Sequence, residues 1–155
     1  MPVVRERPQA TEQLGTARGR PVLLATLDVP FDRNAVVYAV DSAVELGQRL
    51  IVANFVEQEP LPLSTMLGYD DLPYTHEMAE SLAEPVRLAL SLGVNVARLR
   101  VKSFRPIQAM VEVVAEENAG LLVFGPDRSR IMRLRYWWAA RAIRSRVTTL
   151  IWMAG

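Results

Sequence analysis

The 155 residues contain no cysteine and one histidine, His76. Without cysteine there can be no disulfide, thiol nucleophile, iron–sulfur cluster or thiolate zinc site, and a reducing compartment is compatible. No metal-ligand cluster or Ser/His/Asp set can be read around His76, whose neighbours Asp70, Asp71 and Glu77 are ordinary loop and helix-start acids. No run approaches the ~18 uncharged apolar residues of a membrane span. Met1–Arg20 carries Arg5, Arg7, Arg18 and Arg20 but lacks the apolar stretch of a secretory signal, so the expected location is the cytoplasm. Glu116 and Glu117, beside Asn118 at a helix end, read as a solvated face. No residue is assigned a catalytic role.

Half of the residues are apolar and 23% are charged, a globular profile in a chain of one-domain length. Residues 1–20 are polar, aperiodic and broken by Pro8, Gly15 and Gly19; they read as a flexible tail before a domain over residues 21–155. Val22–Leu27 is a short apolar run suited to a strand buried on both faces. Asp32 can cap a helix in which Ala35, Val36, Ala39, Val40, Ala43 and Leu46 recur at three- and four-residue spacing up to Gly47. Leu50–Val56 is a second strand, and Glu57–Pro73 a long loop with Pro60, Pro62 and Pro73.

A helix over Tyr74–Leu92 contains Pro85 and ends at Gly93, and Val94–Val101 is a third strand. Pro106 opens another helix, with Ile107, Met110, Val111, Val114 and Ala115 on one stripe; Leu121–Phe124 is a strand running into Gly125. A basic helix over Ile131–Arg146 and a strand over Thr148–Met153 close the chain. Strict alternation of strand and helix predicts right-handed crossovers and an α/β fold, a parallel five-stranded sheet covered by helices on both faces.

Charge is uneven. Pro126–Gly155 holds seven arginines against Asp127, so the rest of the chain must carry −5 to leave the net +1. Ile131, Leu134, Trp138 and Ala142 are the expected apolar face of the basic helix, with Arg130, Arg133, Arg141 and Arg144 on another. Such a helix has two readings: an apolar face packed on the sheet with solvated arginines, or a surface for a phosphate-bearing ligand, nucleic acid or an anionic membrane.

Three stretches resemble the universal stress protein family: PVLLATLDVPFDRNAVVYAVDSAVELG (Pro21–Gly47), LIVANFVE (Leu50–Glu57) and PIQAMVEVVAEENAGLLVFG (Pro106–Gly125). The resemblance covers nearly everything after Arg20. It implies a Rossmann-like three-layer sandwich with strand order 3-2-1-4-5, and a nucleotide crevice of the family's kind. In nucleotide-binding members strand four leads into Gly, two residues, Gly, nine residues, then Gly-Ser or Gly-Thr. Here Gly125 matches the first glycine, but Arg128, Trp138 and Ala139 stand at the second glycine, third glycine and hydroxyl positions.

The family's aspartate after the threonine of strand one falls on Leu27 when Thr26–Tyr38 is aligned without gaps, with Asp28 one residue late. A shift of one residue turns a side chain to the other face of a strand. Phe55 matches the apolar position beside the adenine, where it can stack on a base or serve as core.

These departures predict that ATP or another adenine nucleotide is not held in the standard way. The expected crevice, beyond the carboxyl ends of strands one and four, is Asp28, Val29, Phe55, Gly125, Pro126, Asp127, Arg128 and Arg130. The leading expectation is a non-enzymatic stress-response or regulatory module, open to a small anionic ligand or a protein partner. One alternative is ATP binding with Arg128 and Arg130 replacing glycine amides; a second is nucleic-acid or anionic-surface binding through the basic helix, nucleic acid being disfavoured because the aromatic signatures of common RNA modules are missing. Thr149, Leu150, Ile151, Trp152 and Met153, on an edge strand blunted by neither proline nor lysine, predict a homodimer, as the resemblance also implies.

Overall fold

In a computed structural model of the chain, residues 4–6, 19–58 and 75–153 are described. The elements in order are β1 (Val4–Glu6), β2 (Val22–Thr26), α1 (Arg33–Leu46), β3 (Leu50–Glu57), α2 (His76–Ser91), β4 (Val96–Ser103), α3 (Pro106–Glu116), β5 (Leu121–Phe124), α4 (Arg133–Arg146) and β6 (Leu150–Met153). They form one sheet of order β1-β4-β3-β2-β5-β6. Its five parallel strands, β4-β3-β2-β5-β6, have the expected 3-2-1-4-5 order when counted from Val22.

One strand lies outside the sequence expectation. Val4–Glu6, within the segment read as tail, pairs antiparallel with β4 in the register Val4↔Lys102, Arg5↔Val101, Glu6↔Arg100. Three residues are too few to show a period of two against a polar background, so only the open edge of β4 could select them. The long loop read over Glu57–Pro73 lies, beyond Gln58, outside the described residues.

The period of two in the strands divides the interior between two layers. Val22, Leu24, Leu50, Val52, Leu121 and Val123 face α1 and α2. Leu23, Ala25, Ile51, Ala53, Phe55, Leu122 and Phe124 face α3 and α4. Local chemistry sets the helix ends: the Asp32 side chain accepts from the Ala35 amide (3.1 Å), and Gly47 closes α1 at φ 63°. The Thr75 hydroxyl caps α2, which runs through Pro85 without interruption. Val94 and Asn95 belong to the preceding turn, because the Val94 amide donates to Ala89 O at the end of α2.

The buried stripe of α4 differs from the expected one. Tyr136, Ala139, Ala140 and Ile143 pack on the sheet, continued by Ile131 and Val147 on either side, whereas Leu134 and Trp138 are 62% and 57% exposed. Both sets satisfy helical periodicity, and fit decides between them. The Tyr136 ring stacks on Phe124 at the end of β5 (centroids 5.6 Å apart), and two alanines next to it let the helix lie close to the sheet.

Candidate functional site

Parallel strands of this topology open a crevice at their carboxyl ends where the strand order reverses, here between β2 and β5. The two segments that leave these strands are tied to each other. The Asp32 amide donates to Gly125 O (2.9 Å), the Asp127 amide donates to Pro30 O (2.8 Å), and Phe31 and Pro126 form an antiparallel bridge. The Phe31 amide donates in turn to Ser81 Oγ on α2 (2.8 Å).

Beyond Pro126 the chain turns sharply. Asp127 Oδ1 accepts from the amide and the hydroxyl of Ser129 (2.9 and 2.7 Å), and the Arg130 amide donates to Asp127 O (2.9 Å). The Arg128 guanidinium lies 3.9 Å from the centre of the Tyr136 ring. Arg130 grips both carboxylate oxygens of Glu77, and its hydrogen bond holds the Glu77 carboxyl below the usual carboxylate range. An acid shifted downward keeps its charge at neutral pH, and this exposed contact loses its ionic character as pH falls through the lowered value.

Gly125 is buried, and its absent side chain is explained by packing. A Cβ there would stand 2.4 Å from the Ala35 Cβ on α1. The one family glycine retained here is therefore a close contact between strand end and helix.

Asp28 occupies the left-handed region at φ 56°, which aspartate tolerates better than most residues. Asn54 holds it there: Asn54 Oδ1 accepts from the Asp28 amide (2.8 Å), and Asn54 Nδ2 donates to Asp28 Oδ1 (3.3 Å). The remodelled turn thus directs the Asp28 carboxylate to an internal partner, with Val29 half-buried beside it. Leu27, at the family's aspartate position, is core, and Phe55 is fully buried among Leu27, Leu99, Val101 and Met110.

Asn54 is a residue that sequence reasoning passed over, although a lone amide within LIVANFVE was a visible signal. Among the described residues it is buried like Thr26 and Ser103, polar residues that end β2 and β4. Each fixes the turn that follows or faces it: the Thr26 hydroxyl donates to Val29 O (2.8 Å), and Ser103 Oγ accepts from the Arg105 amide (3.1 Å).

A second opening lies on the α3–α4 side of the sheet. A cleft of about 640 Å³ is lined by Leu27, Glu57, Arg105, Gln108, Arg135 and Trp138, among others, with Ala139, Ala142 and Arg146 along the α4 wall. It joins Leu27, Trp138 and Ala139, three of the positions where the sequence departs from the family pattern. None of the eight expected crevice residues lines it. The Arg146 guanidinium is anchored by Gln108 Oε1 (2.9 Å). Pro106 begins α3 at the cleft, a helix without a side-chain cap on its first turn.

His76 is the exposed first residue of α2, and Glu117 is paired with Arg49 (3.1 Å) and largely buried rather than solvated. No group of three or more metal-ligating side chains occurs among the described residues, and no helix among them is long and apolar enough to cross a membrane.

A family model described as the Universal stress protein family matches residues 19–136. The fold is similar to that of a universal stress protein from Archaeoglobus fulgidus in complex with dAMP, at 16% identity and a TM-score of 0.60, covering 87% of this chain and 97% of that one. It is similar also to a universal stress protein from Lactobacillus plantarum, at 13% identity and a TM-score of 0.60, covering 89% and 100% of the two chains. A universal stress protein in complex with cAMP matches at 19% identity and a TM-score of 0.56, covering 88% and 96%. Identities this low establish the shared fold alone. Among curated protein sequences none matches this chain.

Proposed function

Because the chain belongs to the universal stress protein family, matched over residues 19–136, we propose that it is a stress-response or regulatory binding module, not an enzyme, whose crevice does not hold ATP in the family's standard way. One observation carries this reading. A phosphate loop works by pointing backbone N–H groups at the anion. Here the amides of Gly125, Asp127, Ser129 and Arg130 already donate within the chain, and Pro126 has none. The segment therefore does not fit a triphosphate, and Trp138 and Ala139, which bring neither glycine's room nor a hydroxyl, stand inside α4 rather than at its first turn.

The α3–α4 cleft supports a small anionic ligand in place of ATP. Arg105, Arg135 and Arg146 outnumber Glu57 on its walls, and the first turn of α3 adds the positive end of a helix. The dAMP and cAMP found with relatives make nucleoside monophosphates suitable first probes. The rival reading, ATP held by Arg128 and Arg130, requires both to leave Tyr136 and Glu77 on binding.

Calorimetric titration with ATP, ADP, AMP and cyclic nucleotides tests the proposal. Binding of ATP is expected to be absent, or no stronger than high micromolar to millimolar, about −4 to −6 kcal/mol. A low-micromolar constant for ATP, abolished by Arg128→Ala and Arg130→Ala together, would establish the rival.

The same proposal includes a homodimer through β6. This strand pairs with β5 on one side and ends the sheet on the other, while β1 caps the opposite edge at β4. Leu150 is 74% exposed, Ile151 and Met153 are half-buried, and the Thr149 hydroxyl anchors the approach to the strand on Gly120 O (2.9 Å). Trp152 stacks on Tyr38 of α1 at 4.7 Å between centroids, extending the apolar edge onto that helix beside exposed Val37. Sedimentation at tens of micromolar, in the range of moderate homodimer affinities, is expected to give a dimer, and Ile151→Lys a folded monomer. A monomeric parent, or a variant that remains dimeric, would remove β6 from the interface.

A further inference from the structure

Trp138 borders the α3–α4 cleft, but the rest of the outer face of α4, with Leu134 and Trp137, belongs to neither that cleft nor a sheet contact. With Tyr136, Ala139, Ala140 and Ile143 turned to the sheet, helical geometry sends Leu134, Trp137 and Trp138 to the opposite side. They are 62%, 50% and 57% exposed, and Met132, just before the helix, is 73% exposed. Exposed Arg133, Arg141 and Arg144 accompany this apolar strip, and Arg133–Arg146 contains no acidic residue. Exposed tryptophan, leucine and methionine in one strip would be a liability in water, and arginines alone would suffice for solubility.

We propose that this face of α4 docks on an anionic phospholipid bilayer. The chemistry agrees with that occupant at each position. Tryptophan rings sit at the headgroup level, where one side is apolar and the other wet. Leu134 and Met132 offer aliphatic tips to the acyl boundary, and the arginines lay their stems on apolar surface while their guanidinium groups meet lipid phosphates. Complementary charge draws the face to the membrane, since each arginine near a negatively charged leaflet adds to the attraction.

A nucleic acid accounts for the face less well. It has nothing to receive Leu134 and Met132, and the Trp137 and Trp138 rings are engaged edge-to-face with each other (4.9 Å), with Arg141 over Trp137 (5.6 Å). Base stacking needs an open ring face.

The test is co-sedimentation of the full chain with phosphatidylcholine vesicles, pure or carrying about one third phosphatidylglycerol, followed also by tryptophan emission. The anionic vesicles are expected to bind at least about tenfold more tightly than the neutral ones, with a blue shift in emission and a loss of binding as salt rises. Leu134→Ser with Trp137→Ser, both on the exposed face, and Arg133→Glu with Arg144→Glu are each expected to cut vesicle binding about tenfold or more while circular dichroism and melting stay at parental values. Neither pair lines the α3–α4 cleft, so nucleotide titrations remain a separate measurement. Equal binding to neutral and anionic vesicles, or none to either, overturns the proposal. So does tighter binding to a single-stranded oligonucleotide than to anionic vesicles at the same salt, or a change in sedimenting mass with Leu134→Ser and Trp137→Ser, which would make the face a contact between copies.

Discussion

Phe55→Ala is expected to lower the stability of the fold by about 3–5 kcal/mol, a drop in melting temperature of roughly 6–20 °C for a chain of this length. The ring is fully buried at the end of β3, within the layer formed by Leu27, Leu99, Val101, Met110 and Phe124. Truncation removes that burial and leaves a cavity beside β4, where Phe55 pairs with Val101, and regular structure there resists collapse. Thermal and urea unfolding of the variant measure the loss. A phenylalanine kept for stacking on a base would give the opposite pattern, a melting temperature within a degree or two of the parent and a weakened nucleotide titration.

Gly125→Val is expected to destabilise by about 3 kcal/mol or more, the upper range for forced overpacking. A Cβ placed on residue 125 would lie 2.4 Å from the Ala35 Cβ and 3.3 Å from Leu24 Cδ1. Both neighbours are held by regular structure, Ala35 on the first turn of α1 and Leu24 in β2, so relief requires the helix to move off the sheet. That movement would also lengthen the hydrogen bond from the Asp32 amide to Gly125 O. Gly125→Ala gives a milder version whose cause can be isolated. Adding Ala35→Gly should recover part of the loss even though glycine inside a helix costs about 1 kcal/mol by itself. If the two substitutions are additive, the contact is not the source of the requirement for glycine.

Both predictions bear on how a family pattern is read. Gly125 and Phe55 stand at positions for which the family resemblance implied a ligand role, yet in this chain neither has open space beside it. A glycine that packs and a glycine that admits a phosphate are the same letter in a sequence. Their difference lies in what stands 2.4 Å from the missing Cβ, and Ala35 lies far earlier in the chain, on α1.

The alternation of strands and helices was determined by the sequence alone, because apolar spacing of two and of three to four is a local property of consecutive residues. So were the cap at Asp32, the turn at Gly47 and a parallel five-stranded sheet, which alternation and right-handed crossovers imply together, while the order of its strands came from the family resemblance. Counting from Gly125 against the spacing of the family it resembles put Arg128, Trp138 and Ala139 at the glycine and hydroxyl positions. Tertiary structure decided what periodicity leaves degenerate. The α4 sequence offers two apolar stripes, and only the shape of the sheet surface beside Phe124 selected Tyr136, Ala139, Ala140 and Ile143 over Leu134 and Trp138. It also decided contacts between residues far apart in the chain: Asn54 with Asp28, Glu77 with Arg130, Leu27 with the α4 wall of the cleft, and β1 with the edge of β4. Each depends on where two segments meet in space after folding, and that information is not carried by the spacing of residues along either segment.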